Sequence, residues 1–221
     1  LSRRRWVRLA AALSYELEVS GRLQWSQRLM PRGHGVNVVA RLPAAGVVER
    51  TYVLVAHLDA QRSGLVWDRR IVEAGAAQRV AKRSMTPAAA AGAVAIALGF
   101  RPLVALSLVA LADTATRATV PGANDNASGV AALLELAGRL SADPLPGAEV
   151  LLVFPGAEES GMGGMRQFLA DPPLDPARSF VLGLDTVGSG RPILAAAEGA
   201  VLAHRYRDED LQLVERGAGA D

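Results

Sequence analysis

Six side chains able to hold a cation or move a proton stand beside apolar runs: His57, Asp59, Glu158, Glu159 and Asp185 just beyond one, and Asp125 in a turn just before one. Imidazole and carboxylates together are the donor set of a divalent-metal site, and a carboxylate left off the metal can serve as general base. The chain has no cysteine, which excludes disulfides and thiolate metal sites and leaves His and carboxylates as the ligands available. The stretch Pro121 to Gly129 reads PGANDNASG and runs into the periodic segment Val130 to Leu140. Its small residues allow a tight turn, and Ser128 reads as the N-cap of the helix that follows. Asp125 is then not the cap, and a carboxylate held at a helix mouth calls for a cation.

The other acids carry comparable arguments. His57 and Asp59 form a His-x-Asp motif after a β-branched run. A carboxylate two residues on can hold the second imidazole nitrogen and fix its tautomer, although a structural histidine fits the same place. Glu158 and Glu159 are adjacent at a strand end, where two like charges are costly without a cation nearby. Neighbouring backbone positions aim their side chains in different directions, so one can bind metal while the other carries a proton. His34, between Gly33 and Gly35, reads as a solvated loop residue, and His204 as a surface histidine.

The elements that would position these residues follow from periodicity. Trp6, Leu9, Leu13 and Leu17 recur at three- and four-residue steps, which predicts an amphipathic helix over 4–18. Residues 36–42 and 51–56 read as two adjacent strands joined as a hairpin through Pro43–Gly46. Val130, Leu133, Leu134, Ala137 and Leu140 make one helix face, and Ser141–Gly147 reads as a loop. Glu149–Phe154 is a continuous apolar run of the kind buried on both faces. A helix is expected to begin within 161–169, a buried strand over 180–184, and one more over 193–197. Ligands of an open α/β sheet collect at the carboxyl ends of its strands, which is where His57, Asp59, Glu158, Glu159 and Asp185 fall.

With 221 residues, half of them apolar, the chain can bury one substantial core, and a single domain over 1–221 is expected. The net charge of +2 is small, and the basic residues are dispersed apart from Arg3, Arg4 and Arg5, so nucleic acid is not an indicated partner. Arg8 interrupts the short apolar run after those arginines, which argues against a secretory leader. Residues 61–119 break the rhythm: 61–84 is mixed and basic, and 87–112 is nearly all apolar, interrupted by Arg101-Pro102 and Ser107. Two full membrane spans need about 20 residues each, and a single span would separate His57 from Asp125 across the bilayer. The segment therefore reads as a helical hairpin, bent at Phe100-Arg101-Pro102, that packs on the domain, dips into a membrane interface or meets a partner. Membrane association through 87–112 is the one localisation the sequence suggests.

In order along the chain, His57-Leu58-Asp59, PGANDNASG, GAEESG at 156–161 and LDTVG at 184–188 resemble the motifs of peptidase family M28, the zinc aminopeptidases. The resemblance covers roughly 35–60 and 120–190, and implies an α/β three-layer sandwich with a mixed, largely parallel central sheet flanked by helices. It implies two Zn2+ ions, with Asp125 bridging them, His57 and Asp185 on one, and Glu159 on the other. Glu158 would be the general base, and Asp59 would orient His57. A cis peptide is often present just after the bridging aspartate, here between Asp125 and Asn126. The implied substrate is a peptide with a free N-terminus. Two departures stand out: the hydrophobic insertion at about 61–119, and a further metal-binding histidine, late in the family's domain, for which His204 is no match. The chain thus reads as incomplete at its C-terminus. Alternatives are a glutaminyl-cyclase-like acyltransferase with one zinc, or a non-catalytic receptor or scaffold of the same fold.

Overall fold

The computed structural model describes residues 3–29, 33–73, 84–85, 90–170, 174–198, 201 and 204–206. The chain forms two compact units, one of Arg32–Gln61 with Thr119–Pro192, the other of Leu1–Pro31, Arg62–Ala118 and Ile193–Asp221.

The first unit holds a four-stranded sheet of β1 (Val38–Leu42), β2 (Ala45–Val55), β4 (Pro146–Phe154) and β5 (Ser179–Gly183), in the order β1-β4-β2-β5. β4 runs parallel to β2, with Tyr52 opposite Val150 and Val55 opposite Val153. β2 runs parallel to β5, with Thr51 opposite Ser179 and Val55 opposite Gly183. Only β1 is antiparallel, with Val38 opposite Phe154 and Leu42 opposite Val150. The sheet is therefore mixed and largely parallel, as expected.

The expected β1–β2 hairpin does not form, because β4 lies between the two strands. The reason lies in β4 itself: Val150, Leu151, Leu152 and Val153 are all buried, so this strand needs cover on both faces and both edges. Alternate residues serve opposite faces. Leu54, Val150, Leu152 and Phe154 pack with Leu133 and, from the same helix, Val130, Leu136, Ala137 and Leu140. Val53, Leu151 and Val153 pack on the other side with Met165, Phe168 and Leu174. The helices concerned are Ala127–Ala142 and Gly163–Ala170, so helix, sheet and helix make three layers. Complete burial of Leu133 contributes roughly 1.5–3 kcal/mol of hydrophobic stabilisation.

The second unit contains helix α1 (Arg3–Val19), helix α2 (Ala90–Leu98), helix α3 (Arg101–Thr116) and a small sheet of β3 (Ser84–Met85), β6 (Ala197–Glu198) and β7 (His204–Arg205). The bend expected at Phe100-Arg101-Pro102 is present, with α2 ending at Leu98 and Pro102 in the first turn of α3. The strand expected over 193–197 is reduced to the two residues of β6. Residues 87–89 of the expected hairpin lie outside the described residues.

α2 packs on α1. Gly92 lies so close to the Tyr15 ring that a Cβ there would meet the phenol oxygen at 2.9 Å, and burial pushes the Tyr15 hydroxyl pKa up. At the other end, the Arg8 guanidinium donates to the Leu98 carbonyl at 3.1 Å. At the foot of α3, Asp113 accepts from the Leu65 amide at 2.8 Å and pairs with Arg117 at 2.8 Å, which together hold its pKa below the ordinary aspartate value.

Candidate metal centre

β2, β4 and β5 are mutually parallel and deliver three loops to one edge of the sheet. His57 follows β2, Glu158 and Glu159 follow β4, and Asp185 follows β5. The turn before helix Ala127–Ala142 brings in Asp125. His57 Nε2 lies 3.1 Å from Asp125 Oδ1, and 3.9 Å from both Glu158 Oε2 and Asp185 Oδ1. Ligand atoms of His57, Asp125 and Asp185 lie within 4.8 Å of one another, and so do those of His57, Glu158 and Glu159. His57 is thus common to both groups.

The turn that presents Asp125 is fastened on either side by amides. Asn126, not Ser128, caps the helix: its side-chain oxygen accepts from the Gly129 amide at 3.2 Å. The Ser128 hydroxyl turns back and donates to the Asn124 carbonyl at 2.6 Å. The expectation that Ser128 caps is therefore corrected, because the turn closes two residues earlier and puts the Asx side chain at the first free amides. Asp125 still does not cap. Asn126 Nδ2 also donates to the Leu184 carbonyl at 2.8 Å. Asn124 accepts from the Gly188 amide at 2.9 Å and donates to Ser189 Oγ at 3.0 Å. The two asparagines flanking Asp125 thus grip the chain on both sides of Asp185. The Asp125–Asn126 peptide is cis.

Asp59 differs from its expected part. His57 Nδ1 lies 3.0 Å from the Asp59 backbone carbonyl, while the carboxylate stands 3.6 Å away. The carboxylate instead accepts the backbone amides of Glu158 and Glu159, each at 3.0 Å. A carbonyl acceptor places the proton on Nδ1 and leaves Nε2 a lone pair, so the tautomer is as expected although its source is not. Two further residues escaped the sequence reading. Gln61 donates to Glu159 Oε2 at 2.6 Å, and Asn37 ties Gly156 and Gly164 around the Glu158 loop, accepting at 3.2 Å and donating at 2.8 Å. Gln61 could have been suspected from its place two residues after Asp59. Asn37 lies far away in sequence and carries no local signal.

His57 Nε2, Asp125 Oδ1 and Glu159 Oε1 are buried without a hydrogen-bond partner among the described residues. Such groups are costly to bury unless something electropositive meets them. Imidazole nitrogen and carboxylate oxygens are the donors zinc accepts, so the residues present fit a divalent cation. The electrostatics agree. Burial, reinforced by the Asp125 and Glu158 charges, pushes the Glu159 carboxyl up to about 7. Glu158 is raised first by burial. Burial alone would lower the His57 pKa, but the Glu158 and Asp185 carboxylates, the Asp59 carbonyl and Asp125 outweigh it and raise it. His34 is exposed, and His204 pairs edge-on with Tyr206 at 5.6 Å in the second unit.

The family model described as peptidase family M28 matches residues 103–216. Over 99 residues the chain is 36% identical to a protein of Mycobacterium tuberculosis (strain ATCC 25618 / H37Rv) named probable lipoprotein aminopeptidase LpqL. That stretch is 44% of this chain and 18% of the relative, so the chain spans less than a fifth of the curated protein it matches. No solved structure matches. Asp125, Glu158, Glu159 and Asp185 fall within the family match; His57 and Asp59 precede it, and it is the fold that joins them to the others. The chain belongs to peptidase family M28.

Proposed function

We propose that this chain is the metal-binding core of a zinc-dependent aminopeptidase. The observation that carries the reading is the pair of buried, partnerless lone pairs on His57 Nε2 and Asp125 Oδ1, 3.1 Å apart and ringed by Glu158, Glu159 and Asp185. His57, Asp125 and Asp185 would hold one ion, and Glu159, with Asp125 shared, a second. When bound, such ions polarise a scissile carbonyl and make water more acidic. Glu158 is the residue for proton traffic: it accepts a proton from the attacking water and returns it to the departing amine. Its burial raises its affinity for that proton. Asp59 sets the Glu158–Glu159 backbone, and its carbonyl fixes the His57 ring. A free α-amino group on the substrate would itself be a ligand for such an ion, which points to the N-terminal bond of a peptide. The name of the mycobacterial relative agrees with that choice.

The test is zinc content by elemental analysis alongside hydrolysis of aminoacyl anilides and their N-acetylated counterparts. Bound zinc and preference for the free amine are expected. Absence of bound zinc would overturn the metal reading. Equal cleavage of both substrates would overturn the aminopeptidase reading alone, and one zinc with glutamine cyclisation in place of hydrolysis would move the chain to the acyltransferase class.

A further inference from the structure

The helical unit carries an unusual surface. Arg8 is level with Leu98, and Tyr15 with Gly92, so α1 and α2 run antiparallel. The N-terminal turns of α1 therefore lie at the same end as the α2–α3 bend. That end gathers Arg4, Arg5 and Arg8 from α1 with Arg101 from the start of α3. It also presents large apolar side chains to solvent: Trp6 at 59% exposed, Leu98 at 72% and Phe100 at 55%.

Along α3, Leu106, Leu108, Val109 and Leu111 are exposed too, at positions that point around the helix and not to one side. A helix that is apolar all round is made for burial or for lipid. No helix among the described residues is long and apolar enough to cross a membrane. The charges are segregated: neither 3–15 nor 90–112 contains an acidic residue, and the first acids are Glu16 and Asp113, both away from the bend. Arginines surrounding exposed tryptophan, phenylalanine and leucine suit the interface of an anionic bilayer, where aromatic rings sit at headgroup depth and cations meet lipid phosphates. A nucleic acid would use the arginines but leave the leucines in water.

We infer that this end of the helical unit docks on the surface of an anionic lipid bilayer, with Trp6, Leu98 and Phe100 entering the interface and Arg4, Arg5 and Arg101 at the headgroups. The inference does not depend on the peptidase reading. Its test is flotation of the full chain with phosphatidylcholine vesicles, with and without about one third phosphatidylglycerol, the lipids carrying brominated acyl chains that quench tryptophan. Binding to the anionic vesicles alone, weakened in 0.5 M salt and accompanied by quenching, is expected. The Trp6→Ser/Phe100→Ser and Arg4→Gln/Arg5→Gln double variants, all at exposed positions, should each lower the bound fraction at subsaturating lipid by about tenfold. Circular dichroism confirms that each remains folded. No flotation with anionic vesicles, or wild-type binding by both variants, would overturn it. So would apolar-variant loss of a concentration-dependent dimer without any vesicle binding, which would assign the surface to a second copy.

Discussion

The proposed function gives the neighbours Glu158 and Glu159 different tasks, and substitution separates them. Glu158→Gln keeps the size of the side chain and removes its ability to accept a proton, so kcat should fall by about 10²–10⁴ with zinc content unchanged. Loss of zinc in that variant would reassign Glu158 as a ligand. Asp125→Asn should lose metal altogether, measured by elemental analysis after gel filtration. At this scale the sequence was informative, because His57, Asp125, Glu158, Glu159 and Asp185 each sit where a strand ends or a helix begins, and the fold brings them within coordinating range. It was silent on hydrogen-bond partners. The side chain of Asp59 could be read as holding His57, but a backbone carbonyl in the same residue reaches the ring first. Ser128 and Asn126 are both good caps by type, and only the path of the turn chose between them.

The strands and helices give quantities that can be measured directly. Asn126 both caps the helix Ala127–Ala142 and holds the Leu184 carbonyl, so Asn126→Ala should cost about 1–2 kcal/mol by denaturant titration. Leu133 is fully buried between that helix and the sheet, and Leu133→Ala should cost roughly 2–5 kcal/mol. At the foot of α3, the Leu65 amide and Arg117 depress the Asp113 pKa. A carboxyl whose folded pKa lies below its unfolded value stabilises above the unfolded pKa and loses that contribution as pH falls through the folded one. The difference in melting temperature between the wild type and Asp113→Asn should therefore be present at neutral pH and shrink through the acid range. Periodicity made the individual helices legible, including the bend at Phe100-Arg101-Pro102. Strand order was not legible, since pairing depends on which strand needs cover on both sides, and nothing in 36–56 announces that β4 will come between β1 and β2.

For the molecule as a whole, a ligand that binds only the folded state stabilises it by mass action. Zinc at about one hundred times its dissociation constant should add roughly 2.7 kcal/mol. Because the candidate ligands belong to one of the two compact units, zinc should raise the melting of that unit and leave α1–α3 unchanged, as followed by Trp6, Trp25 and Trp67 fluorescence for the helices and by far-ultraviolet dichroism for both. A single domain with an insertion was a fair expectation from length, yet segments far apart in sequence gather into the helical unit, which no local pattern foretells. The amides of Asn124 and Asn126 clasp the Asp125 turn to the chain around Asp185 through bonds that involve no cation. Stripping the ion with a chelator should consequently leave the cage assembled, and activity should return within the time of mixing when zinc is restored, with no slow recovery phase.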